Sequence, residues 1–171
     1  MLMKYHEHPT TGVGWHEYDH PSYGEQSANF FEAIYDYADM PNNYGTDASA
    51  LLSYHVGVAV DMNYNPSGSG AFTKDLTYAL ANYFKYDQGI NYAELANYNQ
   101  ADWENLLKDE LDVARPMIYS GSDPNFGGHA FICDGYDDSD MFHFNWGWSG
   151  SNNGYFAIGS LNTGNGNFTS T

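Results

Sequence analysis

The sequence predicts an α+β domain, on one change of pattern and one turn. Residues 1–115 carry apolar side chains at helical spacing, whereas after Pro116 short runs alternate at the period of a strand. Asp137-Asp138-Ser139-Asp140 then separates two such runs as a hairpin turn would. Helices first and antiparallel strands afterwards are the order of an α+β fold.

In chain order, residues 1–8 have helical spacing and stop at Pro9, like the last turns of a longer helix. Residues 10–24, rich in Gly, Pro, His and Tyr, read as loop. Residues 26–38 read as a helix on the stripe Phe30, Phe31, Ile34, Tyr35 and Ala38, ended by Met40-Pro41. A second helix is expected from Asp47 to Val60, with Leu51, Leu52, His55, Val56 and Ala59 on its buried side. The segment 63–71 is a glycine-rich loop, 72–84 a third helix, and Trp103 to Ala114 a fourth, closed by Arg115-Pro116. Strands are expected at Met117–Tyr119, His129–Gly135, Met141–Trp146 and Tyr155–Ile158. No linker divides the chain, so residues 1–171 read as one domain, mostly helical over 1–115 and mostly strand over 116–171.

Composition narrows the function. With 22 Asp and Glu against five Lys and Arg, the formal charge of -17 repels phosphate backbones and anionic membranes. Neither nucleic acid nor a membrane is an expected partner. Apolar residues at 42% and aromatics at 18% predict a packed core in spite of that charge. The 16 tyrosines suit grooves and thick loops, being apolar with a polar rim. His6, His8, His16 and His20 lack the short paired spacing of a zinc site, and the aspartates around residue 137 lack an ordered calcium loop. The glycines at 68 and 70 carry no phosphate-loop lysine. No metal or other cofactor is expected.

The residues able to carry chemistry lie in the strand-rich part. His129 follows Gly127-Gly128 at a strand start, and Asn145-Trp146-Gly147-Trp148 ends the partner strand. A nucleophile needs a base in hydrogen-bond reach, and the base needs a third group to hold its tautomer. Asn145 offers that third group if a bulge or tilted register sets it beside His129, and Trp146 and Trp148 would then keep water from the bond. Spacing alone leaves two readings open, a satisfied rim histidine or a general base. His143 reads as a structural or rim residue. The one cysteine, Cys133, shares a strand with His129, and four residues of strand span roughly 13 Å. Cys133 therefore reads as an inert buried thiol.

Together these motifs resemble the streptopain family, the C10 group of papain-like cysteine peptidases. The resemblance rests on Gly127-Gly128-His129-Ala130-Phe131 with Asp134-Gly135-Tyr136, on Phe144-Asn145-Trp146-Gly147-Trp148, and on Gly154-Tyr155-Phe156. Met62-Asn63-Tyr64 with Ser67-Gly68-Ser69-Gly70-Ala71, Arg115-Pro116, and Met3-Lys4-Tyr5-His6 before Pro9 extend it over nearly the whole chain. The resemblance implies a papain-like fold and hydrolysis of peptide bonds, with His129 as base and acid, Asn145 as its orienter and Trp146 packed over the pair. It implies that Gly128, Ser69, Gly70 and Ala71 contact a polypeptide substrate.

It also places the family's nucleophilic cysteine, with its oxyanion glutamine, a few residues before Met1. The 171 residues by themselves are therefore expected to be a peptidase domain incomplete at its N-terminus and inactive by this route. The alternative is a peptide- or protein-binding remnant of such an enzyme. Uncovered apolar surface would favour self-association, or pairing with the N-terminal segment. The resemblance implies a secreted or cell-envelope protein. The start at Met1 shows no signal-peptide pattern, so this chain translated alone would be cytoplasmic.

Overall fold

A computed structural model describes residues 1–169, which divide into two compact units, one of residues 3–92 and one of residues 93–169 with Met1 and Leu2. Helices accompany antiparallel sheets, as the sequence predicts. The chain opens with a short helix α1 (Leu2–His6), of which residues 3–6 belong to the first of these units.

The unit of residues 3–92 departs most from expectation. Where a loop and then a helix over 26–38 were expected, the chain forms a hairpin of β1 (Trp15–His20) and β2 (Gly24–Asn29), in register from Trp15 opposite Asn29 to His20 opposite Gly24. Only Tyr37–Asp39 make a 3₁₀ turn. The supposed helical stripe is not one-sided: Phe30 and Tyr35 are buried, while Phe31 and Ile34 are 72% and 76% exposed. The better signal was alternation in β1, where His16, Tyr18 and His20 turn inward between exposed Trp15, Glu17 and Asp19. Polar β2 has weak strand propensity and is carried by pairing and by Ala28 beneath it.

Helix α2 (Asp47–Ala59) starts on a capping box, in which Thr46 Oγ1 accepts from Ser49 N–H and Ser49 Oγ accepts from Thr46 N–H. It buries His55, Val58 and Ala59, whereas Leu51 stays 37% exposed. Helix α3 is Asp75–Tyr83. Phe30 joins strand to helix, stacking on Tyr83 at 4.7 Å and meeting the edge of Phe84 at 5.3 Å. The buried Tyr35 hydroxyl and His55 Nδ1 share a hydrogen bond of 2.9 Å.

The unit of residues 93–169 holds α4 (Gln100–Asp112) and a four-stranded antiparallel sheet in chain order: β3 (Met117–Asp123), β4 (Gly127–Tyr136), β5 (Phe142–Asn145) and β6 (Gly154–Phe156). Asn99 caps α4, its Oδ1 accepting from Asp102 N–H at 2.9 Å. Helix and sheet meet where the buried Trp103 Nε1–H donates to Tyr119 Oη at 3.1 Å. Asp137 makes the β4–β5 turn: its Oδ1 accepts from Ser139 and Met141 N–H, as the aspartate run predicts. The core side of the sheet carries Tyr119, Phe131, Cys133, Phe144 and Trp146, and burying each large ring contributes ~1.5–3 kcal/mol. Among the described residues, no helix is long and apolar enough to cross a membrane.

Candidate active site

His129 sits near the start of β4, and alternation sends its side chain to the sheet face of Phe131 and Cys133. There it lies among aromatic rings, 4.9 Å from Trp148 and nearly parallel, and 5.8 Å from Phe131. The Phe168 ring is 5.6 Å away. Its Nε2 hydrogen-bonds the backbone carbonyl of Trp146 at 2.8 Å. A carbonyl only accepts, so Nε2 carries the proton, and in neutral imidazole Nδ1 is then the basic nitrogen. Among the described residues, no protein group hydrogen-bonds Nδ1.

Asn145 stands elsewhere. It pairs with Ile132, while Cys133 pairs with Phe144, so its side chain leaves the sheet on the face opposite His129. The irregularity in β4 falls between Cys133 and Gly135 and does not bring it round. The amide oxygen instead accepts from Gly147 N–H at 3.1 Å, closing the turn in which Gly147 takes φ +77°. The expected bond from Asn145 to the imidazole is thus not made here, and the carbonyl of the next residue holds the ring. Trp146 itself is fully buried, with its backbone N–H donated to Asn153 Oδ1 at 3.1 Å.

A pocket of about 240 Å³ opens beside the imidazole, lined by Phe126, Gly128, His129, Trp148, Asn165 and Phe168. A Cβ added at Gly128 would meet nothing within 4 Å, so the backbone there is open to an approaching chain. Phe126, Asn165 and Phe168 escaped the sequence reading. Asp123-Pro124-Asn125 has the look of a turn and could have drawn attention to Phe126. Nothing local marks Phe168 as a neighbour of His129.

Ser69, Gly70 and Ala71 belong to the other unit, on an exposed loop closed by paired backbone hydrogen bonds between Asn63 and Gly70 at 2.9 and 3.2 Å. Ser69 Oγ accepts from Asn65 N–H at 3.2 Å, and Tyr18 Oη donates to Met62 C=O at the loop's base at 2.6 Å. Cys133 is fully buried, and desolvation pushes its pKa up to about 12. It is no nucleophile. His143 holds Asp134 Oδ1 at 2.5 Å beside the Tyr155 ring, a structural pair as expected. Among the described residues, no three His, Cys, Asp or Glu side chains are grouped so as to hold a metal ion.

Against known proteins, the model described as the peptidase C10 family matches residues 1–156. Streptopain of Streptococcus pyogenes is 33% identical over 95% of this chain and 44% of its own length. The thiol protease/hemagglutinin PrtT of Porphyromonas gingivalis is 32% identical over 96% of this chain and 20% of its own. Among solved structures, active wild-type interpain A cysteine protease of Prevotella intermedia superposes with a TM-score of 0.90 at 36% identity, covering 98% of this chain and 75% of that one. A prointerpain A fragment of the same organism gives 0.83 at 34% identity, over 99% and 57%. The chain spans less than half the length of the streptopain it matches.

Proposed function

The chain belongs to the peptidase C10 family, and from that premise we propose that it carries the histidine half of a cysteine endopeptidase centre. The observation that carries this reading is the held imidazole, with Nε2 on the Trp146 carbonyl and Nδ1 left to act. In the proposed reaction a cysteine outside these 171 residues gives its proton to Nδ1. The thiolate adds to a peptide carbonyl, and His129 returns the proton to the leaving amine. Water then cleaves the thioester, with His129 taking a proton again. Cys133 supplies no such thiol, so the 171 residues alone are inactive by this route.

In this reading Trp146 orients the base through its carbonyl. Asn145 acts indirectly, by shaping the turn that presents that carbonyl. Gly128 lets a polypeptide backbone pass close to His129, and the aromatic pocket takes an apolar side chain of the substrate. Ser69, Gly70 and Ala71 contact the substrate from their own loop, a role carried over from the family motif. Exposed Phe31, Ile34 and Phe72 support pairing with a further segment of the family chain.

The test is to extend the chain at its N-terminus with the cysteine-bearing segment of interpain A and assay a fluorogenic peptide. Thiol-dependent hydrolysis is expected, and His129→Ala should lower kcat/KM by about 10²–10⁴. A folded extended protein that ignores an electrophilic thiol probe overturns the reading.

The intact pocket favours a second reading, a peptide-binding remnant without catalysis. Calorimetry of the 171-residue chain against apolar peptides separates the two: saturable binding with an unreactive extended protein supports the remnant, and no binding removes it.

A further inference from the structure

We propose that Asp123 is a positioning residue that fixes the pocket beside His129 by tying its two walls together. The assignment of the pocket to a substrate side chain rests on the peptidase reading above; the tie does not. Asp123 ends β3 and is only 7% exposed, yet among the described residues no lysine or arginine pairs with it. Its carboxylate is spent on three backbone donors. Oδ1 accepts from Asn125 N–H at 2.7 Å and Phe126 N–H at 3.0 Å, while Oδ2 accepts from Asn167 N–H at 2.8 Å. These bonds to the charged form hold its pKa below the usual carboxylate range.

The donors sit where the pocket needs them. Phe126 is one wall, in the β3–β4 turn that leads through Gly127 and Gly128 to His129. Asn167 lies between Asn165 and Phe168, which form the opposite wall. That wall belongs to a small loop of residues 161–168, closed by Phe168 N–H to Leu161 C=O and Thr163 N–H to Gly166 C=O, each 3.0 Å. Asn167 N–H takes no part in that closure and is directed to Asp123 instead.

Gly121 makes room for the crossing. It pairs with His129 across the sheet, and a Cβ there would stand 2.1 Å from Phe168 C=O. Beside the carboxylate bonds, the Phe126 ring itself lies close to Gly166, where an added Cβ would stand 3.2 Å from it. One ionised group thus sets the gap between walls on two sequence-distant segments.

Asparagine has one acceptor oxygen in place of two. Asp123→Asn keeps the turn bonds but sets an NH₂ against Asn167 N–H, donor against donor. Asn167→Pro removes the same bond from the other side, at an exposed residue whose N–H has no other partner among the described residues.

Both variants and their double are made in the 171-residue chain and followed by amide NMR and hydrogen exchange, with N-acetyl-phenylalaninamide titrated as the pocket probe. In Asp123→Asn the Asn167 amide should exchange at least ten times faster, while Phe126 N–H stays protected. The Gly128 amide and Trp148 indole signals should move in both single variants, and probe affinity should fall several-fold in each. The double variant should lose no more than either alone.

Unchanged Asn167 exchange with unmoved Gly128 and Trp148 signals overturns the tie, as does additive loss in the double variant. A general fall in melting temperature without those pocket shifts leaves Asp123 a structural residue and also overturns it. If Asp123→Asn fails to fold, Asn167→Pro decides by the same signals. A probe that fails to bind the unmodified chain counts against the peptide pocket, and the exchange data still judge the tie.

Discussion

His129 shows how much a single residue owes to its surroundings. Its ring is clamped by aromatic faces and its Nε2 is committed to a backbone carbonyl, so the tautomer follows from an acceptor that has no proton to give. Long-range proton–nitrogen correlation spectra of the neutral imidazole should therefore show His129 protonated on Nε2 and bare on Nδ1. The reverse tautomer would remove the basis for making Nδ1 the base.

Cys133 gives the opposite case, a reactive residue type made inert by burial. Its folded pKa is raised above that of the unfolded chain, so the stability it contributes is present below about pH 9 and falls away as pH rises beyond it. The native chain should resist a thiol reagent at pH 8 and react fully once unfolded. Rapid stoichiometric labelling of the folded protein would show that the thiol is accessible after all.

At the scale of elements, the β3–β4 hairpin is the part that builds the site. Its register sets Gly121 across from His129, and its turn lifts Phe126 over the open backbone of Gly128. Gly121→Ala would drive a methyl into the Phe168 carbonyl, a backbone atom that cannot yield without moving the whole crossing. A cost of about 1–3 kcal/mol is expected from this overpacking, read as a lower urea midpoint. Displacement of Phe168 should accompany it, seen as altered Trp148 fluorescence. A variant of unchanged stability and spectrum would mean the crossing is looser than drawn.

The same scale shows why some elements were legible and others not. Helix α2 was legible from the spacing of Leu51, Leu52, His55, Val56 and Ala59, and the β4–β5 turn from its aspartates, because both signals lie within a few residues of chain. The β1–β2 hairpin was hidden, since Gly24–Asn29 has little preference for a strand and holds that form by pairing with Trp15–His20.

For the whole molecule, the sequence alone determined the class of fold and the family, and singled out His129 as the candidate base. Those follow from period, turn residues and short motifs, which depend on neighbours in the chain. Tertiary structure alone decided that the imidazole rests on the Trp146 carbonyl and not on the Asn145 amide, because strand register chooses the face each side chain leaves from. It alone decided that Phe168 and Asp123 belong with His129. Their meeting depends on a close crossing at Gly121, between segments far apart in sequence, and no local preference encodes that distance.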